Sequence, residues 1–151
     1  MVVPGCTQTV APFSCLALVI ARAPKPDEHL LLPEVISKEP LGPAVRHGDD
    51  RWFDIVKWSL YAMIEAEELE LNSKNIDQQS STQNPSIQRF VGATGDIGKM
   101  LGLDNKWAVN IVKQVGNYGE SFDANLKPLG FDRGLNKLWT KGGLMYAPPI
   151  R

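Results

Sequence analysis

Apolar residues recur at helical spacing at Trp52, Val56, Leu60 and Met63, flanked by Phe53, Ile55 and Ile64. This pattern predicts a helix from Arg51 to about Leu71 with a wide apolar face. Asp49 or Asp50 is placed to cap it, and Asp54 falls in its first turn, where a carboxylate favours the positive end of the helix dipole. So wide a face needs a large partner, and a sheet is the expected one. Upstream, Glu28 to Ile36 is a short apolar segment followed by a Pro and Gly cluster, which predicts a buried strand, with Pro33 marking an edge or a crossing point. Pro40 and Pro43 around Leu41-Gly42 make a stiff connector, and Ala44-Val45-Arg46 is expected as a second short strand before His47-Gly48 turns the chain.

Downstream, Asn72 to Pro85 is polar and reads as a surface segment with room for one helical turn. Asp104 or Asn105 is placed to cap a helix from Lys106 to about Val115, with Trp107, Ile111 and Val115 on one face and Gly116 as its stop. A last helix is expected from Asp132 to Lys141, burying Leu135, Leu138 and Trp139 and ending at Gly142-Gly143. The following Met145-Tyr146-Ala147-Pro148-Pro149 cannot continue it. The pattern as a whole is that of a mixed α/β chain with a helix-rich C-terminal half.

Composition narrows this little. The chain has 151 residues, 43% hydrophobic and 22% charged, with a formal net charge of -1, which gives no global reason to expect nucleic acid as a partner. Locally, Glu65, Glu67, Glu68 and Glu70 crowd together, while Lys127, Arg133, Lys137, Lys141 and Arg151 face only Asp132 near the end. A solvated helix face and a basic tail are the expected readings. Cys6 and Cys15 lie apart from His29 and His47, so no zinc spacing exists and both cysteines read as thiols. The run Val10 to Ala21, followed by Arg22-Ala23, has the outline of a secretory signal. It lacks a preceding Lys or Arg, is interrupted by Pro12 and is too short to span a bilayer, so it is expected to be a poor signal. No internal repeat and no Gly/Ser linker divides the chain.

Three glycines, Gly92, Gly95 and Gly98, in Phe90-Val91-Gly92-Ala93-Thr94-Gly95-Asp96-Ile97-Gly98, match the phosphate-binding turn of nicotinamide-dependent reductases. That chemistry needs a strand directly before the turn and a long helix directly after it. Only Ile87 to Val91 is available as the strand, Gly102-Leu103-Asp104-Asn105 cuts the helix short, and no second strand follows at the required distance. The glycines are therefore expected to be caps and turns, with NAD(P)-dependent oxidoreduction the least favoured function and no cofactor expected. Neither His29 nor His47 sits in a catalytic motif, and the glutamates around Glu68 have no metal-gathering spacing. No catalytic residue is assigned. Of Trp52, Trp58, Trp107 and Trp139, three fall on apolar helix faces, where core packing is the expectation, and Trp58 lies off the stripe.

Two stretches, Leu32-Pro-Glu-Val-Ile-Ser-Lys-Glu-Pro-Leu-Gly-Pro-Ala-Val-Arg-His-Gly-Asp-Asp50 and Trp52-Phe-Asp-Ile-Val-Lys-Trp58, closely resemble the general L-amino-acid-binding proteins of proteobacterial ABC importers. Gly95-Asp-Ile-Gly-Lys-Met-Leu-Gly-Leu-Asp104, Val115-Gly-Asn-Tyr-Gly-Glu120 and Leu135 to Arg151 are similar to that family's C-terminal pattern, so the resemblance runs from about Lys25 to the end. It implies a periplasmic solute-binding protein with two α/β lobes and a two-strand hinge, of which this chain is a C-terminal part. The implied fold is an incomplete type II periplasmic-binding-protein fold, mostly helical with a few short strands near the N-terminal third. Residues 1–24 would be a divergent segment, 25–48 the hinge-crossing strands, and 49–151 the helical C-terminal part of lobe one. L-amino acids and the ABC permease are the implied partners, and no enzyme activity is implied.

A zwitterion needs a cation for its carboxylate and an acid for its ammonium. The family's arginine lies upstream of this chain. With Cys6 and Ser14 in the family's register, the place of its ammonium-binding aspartate falls near Pro12, ahead of a helix near Leu16. No ligand-binding residue is thereby supplied, and Met1 to Phe13 departs from the family. The chain is expected not to bind ligand alone. Apolar surface left exposed by the missing parts would favour self-association, or use as an accessory helical module.

Overall fold

The computed structural model describes residues 22–25, 28 and 42–151. By its contacts the chain divides into two units, Met1–Gly42 and Pro43–Arg151. In the first, the described residues include an exposed ion pair between Lys25 Nζ and Glu28 Oε1 at 2.7 Å. The expected strand over Glu28 to Ile36, the signal-like run and both cysteines lie almost wholly outside the described residues, as does His29.

The second unit is helical. It comprises α1 (Asp50–Glu68), α2 (Pro85–Phe90), α3 (Ile97–Met100), α4 (Trp107–Val115) and α5 (Tyr118–Asn125), with a 3-10 segment, Ile76–Ser81, between α1 and α2 and short 3-10 turns after α5. The expected strand at Ala44-Val45-Arg46 is instead unpaired, exposed or half-exposed coil. Among the described residues the only β pairing is an isolated parallel bridge between Leu138 and Met145.

Helix α1 starts where its carboxylate cap predicts, with Asp49 accepting the Trp52 N–H at 3.2 Å. It stops at Glu70, a non-glycine residue in the left-handed region at φ 58. There the Leu71 N–H reaches back to the Ala66 carbonyl at 2.8 Å, a Schellman-type closure that glycine would make without strain. Burial of Leu71 in the core holds the chain in this turn.

The expected sheet partner is not what α1 meets. Its C-terminal half packs on α4 and α5. Ala62 and Ala66 of α1 and Ala108 of α4 are all fully buried, so bare methyl groups let the two helices approach closely. Around them gather Leu71, Ile76, Phe90, Leu101, Trp107, Val112 and Ile150 as one core. A second, smaller core joins Ile64 to Leu138 and Ala147. The large residues of the expected stripe are left outside: Trp52 and Phe53 are exposed and Val56, Leu60 and Met63 only partly covered.

Two further expectations change. In α4 the buried face is Trp107, Ala108 and Val112, and Val115 is exposed. Neither Asp104 nor Asn105 caps it as expected: the cap position is Lys106 with no side-chain cap bond, and Asp104 instead closes the preceding turn by accepting the Lys106 N–H at 2.7 Å, while Gly116 ends the helix at φ 88. The last helix, expected over Asp132 to Lys141, does not form. Residues 134–145 close into a loop in which Leu144 N–H bonds to Leu135 O (2.8 Å), Trp139 N–H to Met145 O (3.0 Å) and Met145 N–H to Lys137 O (3.1 Å). This closure requires Gly143, because a Cβ there would run into the Lys137 carbonyl. Leu138 is buried, but Leu135 and Trp139 are exposed, and Gly142 takes the expected left-handed turn at φ 78.

Candidate functional site

Of the four glutamates at the end of α1, Glu65 and Glu67 are sheltered in contacts with the C-terminal segment, whereas Glu68 and Glu70 are exposed as expected of a solvated face. Three consecutive contacts hold the C-terminal segment. Glu65, buried, accepts the Ile150 backbone N–H on both carboxylate oxygens at 3.0 and 3.2 Å. Glu67 pairs with Arg133 at 2.9 Å, both side chains largely sheltered from water. Glu68 accepts from Trp139 Nε1 at 3.2 Å. Burial pushes the Glu65 carboxyl above the ordinary glutamate range, and Glu68 adds to this, while the Ile150 N–H and Arg89 oppose it. Arg133 also lies 5.3 Å from the ring centres of both Tyr118 and Phe122, which places the guanidinium between α5 and the C-terminal segment. Part of the basic tail is thus spent on internal pairing.

A second network ties α5 to the turn after α1. Asn117 and Glu120 form a capping box, with the Glu120 N–H donating to Asn117 Oδ1 and the Asn117 N–H to Glu120 Oε2, both at 2.9 Å. The same Glu120 accepts from the Ser73 hydroxyl at 2.7 Å and the Ser73 N–H at 3.0 Å, and Asn117 Nδ2 donates to the Leu71 carbonyl at 2.7 Å. Burial alone would raise the Glu120 carboxyl, but the Ser73 and Asn117 hydrogen bonds, with the Lys74 charge, together bring it below its usual range. The Asn-x-x-Glu spacing of Asn117 and Glu120 is the sequence signal for this box.

The glycine run lies between the short helices α2 and α3, with no strand before it. Ile87 to Val91, needed as a strand for a dinucleotide turn, is helical up to Phe90. Each glycine has a local cause. Gly92 lies at φ 71, and a Cβ there would strike the Asn105 carbonyl; a Cβ on Gly98 would meet the Asp104 carbonyl and the Asn105 Cα. Gly95 has open space but a φ of 86. Gly92 and Gly98 allow two stretches of backbone to touch, and the reading of caps and turns is the one the geometry supports.

The N-terminal half of α1 leaves apolar side chains uncovered. Pro43, Phe53, Val56, Lys57, Leu60 and Tyr61 line an open groove of about 170 Å³. Trp52 is half exposed beside it, whereas Trp107 is buried, and Trp58 is partly buried with its ring edge-on to Tyr61 at 5.7 Å. Core packing therefore holds for Trp107 and fails for Trp52 and Trp139. His47 lies in an exposed turn. Among the described residues no group of three or more His, Cys, Asp or Glu side chains is placed to hold a metal ion, and no helix is long and apolar enough to cross a membrane.

No family model matches the chain. Individual proteins do. It is 58% identical over 131 residues to the general L-amino acid-binding periplasmic protein AapJ of Rhizobium johnstonii, covering 83% of this chain and 38% of that protein. It is 50% identical over 150 residues to the putative amino-acid ABC transporter-binding protein YhdW of Escherichia coli, covering 97% of this chain and 44% of that protein. It is 50% identical over 151 residues to the glutamate/glutamine/aspartate/asparagine-binding protein BztA of Rhodobacter capsulatus, covering 97% of this chain and 45% of that protein. In three dimensions it matches an ABC transporter periplasmic binding protein from Brucella ovis with glutathione bound, with a TM-score of 0.86, 48% identity, and coverage of 91% of this chain and 44% of that one. The chain is thus a homologue of periplasmic amino-acid-binding proteins of ABC transporters and spans less than half of their length, in agreement with the resemblance read from its sequence.

Proposed function

We propose that this chain supplies the helical part of one lobe of a solute-binding clamp for ABC-type amino-acid uptake in the periplasm, and that it does not bind ligand unaided. The observation carrying this reading is the match in both sequence and backbone to solute-binding transport proteins over nearly all of this chain. Residues 25–48 would be the hinge-crossing part and 49–151 the lobe-one part. A clamp works by closing two lobes about a hinge and enclosing the ligand away from water. The ligand class is set by chemistry: an α-ammonium and an α-carboxylate, shared by L-amino acids and by the γ-glutamyl end of glutathione, each met by an opposite charge in the closed cleft. No enzymatic step is assigned, and the permease subunits of an ABC importer are the expected membrane partners.

The uncovered half of α1 supports the incompleteness of the clamp. The C-terminal half of this helix packs on α4 and α5, while the half lined by Phe53, Val56, Leu60 and Tyr61 offers apolar surface that a larger lobe would cover. Titration calorimetry of the purified chain against pooled L-amino acids, against glutathione and, in a parallel cell, against nicotinamide dinucleotides tests the reading. No saturable heat in any cell is expected. Micromolar amino-acid heats would show that these residues suffice, and heat from the dinucleotide alone would restore the glycine run as a cofactor site.

The same groove favours a second reading, a self-associating helical module. Light scattering after size exclusion distinguishes it: a concentration-dependent dimer that becomes monomeric in Phe53→Ser would support it, and a monomer at all concentrations would remove it.

A further inference from the structure

We propose that the glycine turn between α2 and α3 encloses one tightly held water molecule that bridges Arg89 and Asn105. Arg89 leaves α2 with Nη2 donating to Ser86 Oγ at 3.3 Å, but its Nε is fully buried and has no hydrogen-bonding partner among the described residues. Asn105 donates through Nδ2 to the Gly95 carbonyl at 3.4 Å, and its Oδ1 is likewise buried without a partner among the described residues. One is an obligate donor and the other an acceptor. Both residues line the same cavity of about 10 Å³, whose walls include Gly92, Gly95, Gly98 and Trp107.

Buried polar groups in native proteins are satisfied almost without exception, by protein or by ordered water. This cavity is about the size needed for one water. It is far too small for a phosphate or a nucleotide, and its mixed polarity suits a molecule that donates and accepts at once. Gly92 and Gly98 contribute walls without a Cβ, which is how the Asp104-Asn105 backbone comes close enough to close the space. The glycine pattern that mimics a phosphate loop is then the lining of a water-sealed joint between α2, α3 and the start of α4. This inference does not depend on the transport reading.

A crystal structure at a resolution that shows ordered water, together with water-to-amide and water-to-guanidinium NOEs, tests it on the unaltered chain. A single density peak within hydrogen-bond distance of Arg89 Nε and Asn105 Oδ1, with a matching NOE at the Arg89 Nε proton, is expected. Arg89 Nε bonded to a protein acceptor, or a cavity free of ordered water, would overturn it. As a second measurement, Asn105→Leu should remove the peak and lower Tm by about 3–6 °C, while Asn105→Asp keeps the acceptor and the peak. An unchanged NOE in Asn105→Leu would also refute the bridge.

Discussion

Removing the Arg133 side chain tests how the C-terminal segment is held on α1. Arg133 Nη2 is 2.9 Å from Glu67 Oε2, with the arginine side chain 18% and the glutamate side chain 13% exposed. Arg133 also donates to the Asn136 carbonyl through Nε at 3.0 Å and Nη2 at 2.7 Å, and contacts the rings of Tyr118 and Phe122. In Arg133→Ala the Glu67 carboxylate is left sheltered and unpaired, which for a fully buried pair costs about 3–5 kcal/mol and here somewhat less because some water reaches it. With the lost ring contacts and the Asn136 bonds, the expected destabilisation is about 4 kcal/mol. For a chain of this size that lowers Tm by about 8–16 °C. Urea unfolding followed by tryptophan fluorescence, in a double-mutant cycle with Glu67→Gln, isolates the pair. A coupling of about 1–3 kcal/mol is expected. Additivity within about 0.5 kcal/mol would refute the claim that this ion pair anchors the segment.

Three other outcomes follow from single sites. Glu70→Gly relieves a left-handed backbone that costs an L-residue about 1–2 kcal/mol, so thermal unfolding should shift upward by a few degrees; a downward shift would mean that Glu70 makes a compensating contact. Gly92→Ala adds a backbone collision to its conformational strain whereas Gly95→Ala adds strain alone, so denaturation should rank Gly92→Ala as much the more damaging, and equal losses would contradict the close approach to Asn105. For Glu65, the folded carboxyl titrates above its unfolded value, so the folded state gains relative stability below the ordinary glutamate pKa and loses it as pH rises through the raised value. Glu120 has the opposite sign, its stabilisation being present above the ordinary value and lost as pH falls through the lowered one. Tm against pH should therefore flatten in the mildly acidic range for Glu65→Gln and at the more acidic end for Glu120→Gln; identical profiles for the two variants would show the assignments to be wrong.

The sequence was most legible where a local rule and the tertiary packing agree. Asp49 caps α1, Gly116 stops α4 and Gly142 takes a left-handed turn, each because backbone geometry close in the chain decides the outcome. It was least legible where distant partners decide. Periodicity weighs large side chains, so it chose Trp52, Val56, Leu60 and Met63 as the packed face of α1, whereas close helix approach depends on Ala62 and Ala66, which periodicity counts for little. Glu65 and Glu67 read as part of a solvated run because their partners Ile150 and Arg133 are far along the chain. The missing last helix has the same origin: Gly143 permits a closure onto Lys137 that a 3.6-residue pattern does not register. The likeness to amino-acid-binding proteins was legible in the motifs from about Lys25 onward, though the relatives match 97% of the chain and so extend into the segment read as divergent.

The measurement that bears most directly on the account is calorimetric titration of L-amino acids into the chain alone and into the chain mixed with the portion of an AapJ-type relative that it does not cover. Saturable heat from the mixture and none from the chain alone is the predicted result. Saturable heat from the chain alone, or none from a mixture shown to have associated, would contradict the reading of this chain as one part of an amino-acid clamp.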